Sequence, residues 1–509
     1  MGPAAGGSTG DGFFDLPFPM AAGAESPAEH QCEWRDKATA LEQKLASLAH
    51  EFETLRRQVL GPKSEKMPAI KDELRDGKPV DREAAQAARR EGRKAKAALK
   101  QVKTVHHVPD AEKKCPKCGR TDLKPLGEGK ESVVYEYIPA QIIAHHHVRE
   151  TVACPCGEYV KTAEVPLKWV EKCQYAASLV AHLIVAKCAD SIPLYRLEKD
   201  FDRIGLPLSR STMTDLFHRA AELLAPLVER LLALIRAAEI VRADETSKKV
   251  MAQGHCRTGY IWTFRTRVPE PLIAYVFAPS RSGGTPKQVL GGSKGALVVD
   301  GYTGYNTVLD VDGRTRVGCH AHMRRHFFDA LPTAPTEARK ALDFILALYR
   351  VEHEALEAGI VGTAEHLELR KMKSAPVRMA FKAWIDEIRQ QHPPKSPLGE
   401  ALRYATNQWV HMGRFLENPR IPLDNNESEA ALRRVALGRK NFLFVGNDSA
   451  GENLAGLYSL VATCEANDIN PLDYLADVME RISTHPASRI DELLPHRWKP
   501  ATNATAIEG

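Results

Sequence analysis

Between residues 239 and 319 the apolar pattern changes from helical to short extended segments, and no other feature constrains the fold as much. Strands are predicted at 239–242, 260–265, 272–277, 296–299 and 315–319, with a short helix at 286–290 among them. Helical spacing precedes this block, from 176 to about 234, and returns over 321–418, 427–435 and 454–465. Strands interleaved with a helix and bracketed by helices predict a multidomain α/β protein with a central sheet.

The N-terminal third reads differently. Residues 1–33 are rich in Gly, Ala and Pro and read as a disordered tail. Trp34, Leu41, Leu48 and Leu55 then recur every seven residues, and Ala38, Leu45, Phe52 and Val59 form a second series offset by four. This is a coiled-coil seam, a leucine zipper that stops at Gly61-Pro62; the competing reading is a helix packed on its own core. Residues 81–103 carry eight Lys/Arg against three acidic residues, a stretch suited to phosphate or to plain solvation. Of the ten cysteines, four form close pairs, Cys115/Cys118 and Cys154/Cys156. Four thiolates close a tetrahedral site, so one structural Zn²⁺ is expected within 105–168, with His145, His146 or His147 as possible substitutes. Strands are predicted there at 132–138 and 141–152. Around Gly205, a helix opened by Pro193 is followed by one opened at Ser209-Arg210-Ser211, the outline of a helix-turn-helix over 193–220. Ordinary helical pairs share that outline.

Three acidic positions bear on chemistry. Asp244 follows the strand at 239–242, and Asp300 follows the strand at 296–299. Carboxylates at neighbouring strand ends can share divalent cations, although each alone also suits a turn or cap. Glu427 and Glu429 lie in the first turn of a helix that Asp424 or Asn425 can cap, and only one of them can face the same side. Glu429 shares a face with Asn425, Asn426, Leu432 and Arg433, whereas an exposed capping role suits Glu427. Downstream, Arg439 and Lys440 stand beside Phe442 and Phe444, a combination suited to a nucleic-acid backbone and a stacked base. Apolar residues at 43% and charged residues at 27% fit a soluble protein. No apolar run spans a bilayer and no leader is evident, so a cytoplasmic location is expected.

Taken in order, these motifs resemble the transposase family of insertion sequence 66, from about Trp34 to Leu494. The residues that carry the resemblance are Gly61-Pro-Lys-Ser-Glu-Lys, the cysteine pairs, and Lys187 through Pro193-Leu-Tyr-Arg. They continue with Asp244-Glu-Thr, Asp300-Gly-Tyr-Thr-Gly-Tyr, Cys319-His-Ala-His-Met-Arg-Arg, Asp424-Asn-Asn and Gly438-Arg-Lys-Asn. The resemblance implies a ribonuclease-H-like catalytic core over 236–460 with a helical insertion at about 330–418. Before the core it implies a zipper and basic linker at 34–104, a zinc-finger module at 105–168 and a helical DNA-binding region at 169–235. A family-specific segment occupies 461–509. It further implies a DDE triad of Asp244, Asp300 and Glu429 holding two Mg²⁺ or Mn²⁺ ions, and cleavage and strand transfer on element ends and target DNA. His322, Arg325, Arg210, Ser211, Arg439 and Lys440 are the DNA-contact candidates. A homodimer or higher oligomer through the zipper, and small accessory proteins of the same element, are the expected partners. The second cysteine pair is one residue tighter than the expected spacing, and His320 stands where the family usually carries Trp. A regulator that keeps the fold without cutting, and a nuclease acting on branched DNA, are the competing functions. Cleavage and strand-transfer assays separate them.

Overall fold

The computed structural model describes residues 141–501, apart from 154–159, 164–167, 172, 268–269 and 310–312, together with isolated positions before residue 141. All four paired cysteines, the strand expected at 132–138, and most of the seam and basic stretch lie outside the described residues. The chain divides into two units, Met1–Ser64 and Glu65–Gly509. In the first, Leu41, Leu45 and Leu48 are helical and strongly exposed, at 64, 72 and 64%.

The second unit opens with a small antiparallel pair, β1 (Thr151–Ala153) and β2 (Val160–Thr162). Residues 141–150 have no regular secondary structure and are exposed, so the strand expected at 141–152 survives only at its end. Three helices follow: α1 (Ala177–Cys188), α2 (Leu194–Arg203) and α3 (Arg210–Ala237). Gly205, at φ +86°, makes the turn between α2 and α3. Ser209 then caps α3, its Oγ accepting the Thr212 N–H at 3.2 Å.

The sheet is built from β3 (Ile240–Ala252), β4 (His255–Thr266), β5 (Ile273–Ala278), β6 (Gly295–Val298), β7 (Arg314–Val317) and β8 (Phe444–Val445). Helix α4 (Gly284–Leu290) lies between β5 and β6. The strand order is β5-β4-β3-β6-β7. The first three strands form an antiparallel meander, and β3–β6 and β6–β7 are parallel. The β3–β4 hairpin extends well past the predicted strands, because residues 245–249 are polar and carry no apolar alternation to read.

Side chains on β6 alternate between two cores. Leu297 packs with α1–α3, α11 (Asp448–Ala466) and α12 (Pro471–Arg481), whereas Ala296 and Val298 face the other way. That second core is made by α5 (His320–Ala330), α6 (Pro335–Glu357), α8 (Ala375–Ile388) and α9 (Pro397–Met412), with α7 (Ala364–Leu369) beside α6. Residues of α2, α3 and the C-terminal helices share one continuous core with the sheet.

Strand β3 has a divided edge. It pairs with β6 only at Ile240–Arg242 and with β8 only at Lys249–Val250. Helix α10 (Asn426–Asn441) spans the interval. Asn425 Nδ2 donates to Ala243 O at 2.8 Å, and Arg439 Nη1 donates to Ser247 O at 2.9 Å. Asn425 occupies the N-cap position, yet its side chain caps nothing. Of the two expected caps, Asp424 serves, its Oδ1 accepting the Asn426 N–H at 3.1 Å, while Asn425 is used by the strand. Asn425→Ala therefore strips a buried carbonyl of its donor and should lower stability by about 1–3 kcal/mol, as read by denaturant unfolding.

Candidate active site

The parallel register sets the first two acidic positions. Arg242 is opposite Val298, so Asp244 and Asp300 each stand two residues beyond the same rung. Asp300 leaves the sheet there. Asp244 does not end its strand as expected; it lies inside β3, still paired with Thr263 of β4, at the point where β6 stops. Asp244 Oδ1 accepts the Glu245 N–H and Asp300 Oδ1 accepts the Tyr302 N–H, both at 2.9 Å. Buried Arg316 fixes the turn after β6, donating to Asp300 O at 2.7 Å, Tyr302 O at 2.8 Å and Asn306 Oδ1 at 3.0 Å. Nothing in the sequence pattern singled it out.

Glu429 reaches the same place from the first turn of α10, and its Oε1 lies 3.7 Å from His322 Nδ1. Burial raises the Asp244 carboxyl to about 7, helped by the charge of Glu245 and, more weakly, by Asp300 and Glu429. The Glu245 N–H opposes that shift. Asp300 and Glu429 are thus both within electrostatic reach of Asp244. Their neighbours have other partners. Glu245, on the opposite face of β3, accepts bonds from Arg281 and from Tyr305 Oη at 2.6 Å. Glu427 is not the exposed cap expected of it. It sits 3.2 Å from both Arg242, whose side chain is only 3% exposed, and Arg265. His320 is structural: it is buried, its Nδ1 lies 2.9 Å from Leu423 O and its ring meets Phe415 edge-on. Burial pulls its pKa down to about 3 and keeps it neutral.

An open cavity of about 510 Å³ adjoins Asp300 and His322, with His326, Arg403, Tyr404 and Gln408 along its wall. Helix α9 supplies the last three, from the stretch expected only as an insertion. Tyr404 Oη and Gln408 Oε1 are buried without a hydrogen-bond partner among the described residues.

Comparison with known proteins finds three matches along the chain. Residues 172–453 match the transposase IS66 family, residues 459–496 its C-terminal element, and residues 112–157 the zinc-finger binding domain of the same transposases. The chain belongs to the transposase IS66 family. Similar proteins occur in Sinorhizobium fredii (strain NBRC 101917 / NGR234). The uncharacterized protein y4jD is 31% identical over 410 residues, 77% of this chain and 80% of its own. The uncharacterized protein y4hP is 29% identical over 507 residues, covering 91% and 90%.

In this transposase the DNA-contact candidates differ in exposure and in partners. Arg325 and Lys440 are exposed. Arg210 is exposed but paired with Glu198 at 3.0 Å, and exposed Ser211 lies 3.1 Å from Ser209 Oγ. Arg439 turns inward to Ser247, and Phe442 holds Lys187 and Lys248 over its ring at 4.1 and 4.4 Å. Among the described residues no helix is long and apolar enough to cross a membrane.

The raised pKa of Asp244 gives a signed expectation. Its carboxyl holds a proton more tightly in the folded state, so its stabilising contribution is full at low pH. That contribution is lost as pH rises from about 4 through about 7. In metal-free protein at about pH 8, Asp244→Asn should raise stability by about 2–4 kcal/mol, and the gain should vanish near pH 4. Denaturant unfolding at the two pH values reads this directly; an equal change at both would contradict it.

Proposed function

We propose that this transposase cuts the ends of its element and joins them to target DNA at Asp244, Asp300 and Glu429. One observation carries the reading. Two parallel strands in register and a helix tied to the first of them bring Asp300 and Glu429 within electrostatic reach of Asp244, where both add to the rise that burial and Glu245 cause. The strand order, an antiparallel meander followed by two parallel strands, supports a ribonuclease-H-like assignment.

Divalent cations fit this donor set. Hard ions take carboxylate oxygens, and a positive ion relieves the burial and repulsion that hold Asp244 near neutrality. Asp244, Asp300 and Glu429 would hold two Mg²⁺ or Mn²⁺ ions, which when bound acidify a water and neutralise charge developing on phosphate. The chain's own groups do the placing. Arg316 holds the Asp300 turn, Asn425 holds α10 against β3, and Tyr404, Gln408 and Arg403 offer polar contacts to DNA entering the cavity. Hydrolysis breaks one P–O bond at the element's end and leaves a 3′-OH. That hydroxyl forms a P–O bond with target DNA as another breaks, so no protein–DNA bond is needed.

End binding is assigned to α2–α3, the zinc module and the basic stretch 81–103, with phosphate contacts giving affinity and groove contacts giving choice. Cys115, Cys118, Cys154 and Cys156, all within the zinc-finger match, are assigned to one structural Zn²⁺. The enzyme acts at the nucleoid in the bacterial cytoplasm, assisted by small proteins of the same element.

Glu429→Gln, Asp244→Asn and Asp300→Asn should each abolish cleavage and strand transfer while end binding persists. Glu427→Gln should keep the chemistry and lose about 1–2 kcal/mol of stability, because buried Arg242 loses its partner while the exposed side of Glu427 screens part of the effect. An active Glu429→Gln beside a dead, stable Glu427→Gln would reverse the assignment.

Leu41, Leu45 and Leu48 supply the case for a dimer, since they are exposed along one helical seam. Changing the three to Lys should reduce the oligomer to monomer in light scattering. An unchanged mass would place the seam within its own chain.

A further inference from the structure

Cys319, His322 and Glu429 converge from two elements. Cys319 precedes α5, His322 lies in the first turn of α5, and Glu429 in the first turn of α10. The Sγ, ring nitrogen and carboxylate oxygen all lie within 4.8 Å of one another. His322 Nδ1 is buried and has no hydrogen-bond partner among the described residues. Its 3.7 Å separation from Glu429 Oε1 is too long for a hydrogen bond. It is close to the spacing of two ligands that each stand about 2.0–2.2 Å from one ion. An unpartnered, buried acceptor costs free energy unless something occupies the space it faces. The Cys319 thiol, fully buried, accepts the Asn425 N–H at 3.2 Å, and its Sγ stays within 4.8 Å of both other donor atoms.

We propose that Cys319, His322 and Glu429 form a transition-metal site overlapping the third acidic position. This rests on the reading of Glu429 given above. Its donor set mixes sulfur, nitrogen and oxygen, and such a set favours first-row transition ions over Mg²⁺. The ion held through Glu429 is therefore better matched by Mn²⁺ than by Mg²⁺, and Zn²⁺ competes for it most strongly, with Cys319 contributing once its proton is displaced. Asp244 and Asp300 remain an oxygen-only pair suited to Mg²⁺. The two ions of one active site would then differ in chemical preference.

The test uses the full-length, zinc-loaded chain carrying Asp244→Asn and Asp300→Asn, which leaves only this site. Mn²⁺ is added and its electron paramagnetic resonance is examined for hyperfine coupling to a histidine ¹⁴N. Coupling is expected in this background, is lost with an added His322→Ala, and persists with an added His326→Ala. His322→Asp should restore Mn²⁺ affinity without the nitrogen signal. Cys319→Ser should weaken displacement of Mn²⁺ by added Zn²⁺ about tenfold or more. Bound Mn²⁺ with no nitrogen coupling, or coupling that follows His326, overturns the proposal and leaves the triad standing if Glu429→Gln is still inactive. If Glu429→Gln proves active in strand cleavage, the triad reading fails, whatever the Mn²⁺ signal shows.

Discussion

The arrangement depends on how one strand edge is satisfied. A strand presents backbone donors and acceptors on both sides, and buried ones must find partners. On the β6 side, β3 has strand partners only at its two ends, and the interval between them is met by side chains of α10 and its flank. Asn425 binds one end of that interval and Arg439 the other, almost the full length of the helix apart. The backbone of β3 thereby dictates both the position and the rotation of α10. Once the helix is fixed, Glu429 is carried toward Asp244, and Glu427, roughly 200° around, is carried toward Arg242 and Arg265.

The same geometry sorts carboxylates into two uses. Asp244 and Glu245 are adjacent but lie on opposite faces of a strand, as period two requires. Glu245 meets Arg281 and Tyr305 and is locked, while Asp244 faces its fellow carboxylates without a cation. Glu427 and Glu429 repeat the division on a helix. Glu245 braces the framework with charge-assisted hydrogen bonds and Glu427 with ion pairs, whereas Asp244 has no such cation beside it. A site with every carboxylate paired would be more stable and chemically idle. Here the paired ones rigidify the scaffold on which the unpaired ones are held apart from protein cations.

Much of this was legible, and the gaps have physical causes. The strands, the helix between them, and Asp244, Asp300 and Glu429 could be placed because apolar alternation and short motifs mark them. The far half of the β3–β4 hairpin could not, since residues 245–249 are polar and their pairing depends on partners distant in sequence. For the same reason Asp244 looked like a strand end when it is a strand interior beside a shorter neighbour. Arg316 and the α9 wall were invisible because they act through tertiary contact alone. A charged residue on a helix reads as exposed, and only the fold reveals that Glu427 meets buried Arg242 and that Arg439 bonds Ser247. His320, which stands where the family usually carries Trp, fills an apolar place, because full burial against Phe415 removes its charge.

The outer edge of the sheet obeys the rule that governs β3. Among the described residues strand β5 has no strand beyond it, and α11 takes the place of one. Thr463 Oγ1 accepts the Ile273 N–H at 3.1 Å and donates to Ile273 O at 3.0 Å, and Ser459 Oγ accepts the Tyr275 N–H at 2.8 Å. Small hydroxyl side chains on α11 thus act as a surrogate strand and prevent this edge from recruiting another chain. Thr463 and Ser459 fall within the match to the C-terminal element, and Arg230 of α3 reaches Asp491 further along it at 2.5 Å. The C-terminal element therefore closes the sheet on one side and grips α3 on the other. Because α3 runs unbroken from the turn after α2 into the same core, a DNA end held at Arg210 and Ser211 would be held by a helix braced against the strands that carry Asp244 and Asp300. Through Thr463, Ser459 and Asp491 the C-terminal element thus ties α3 to the sheet that carries Asp244.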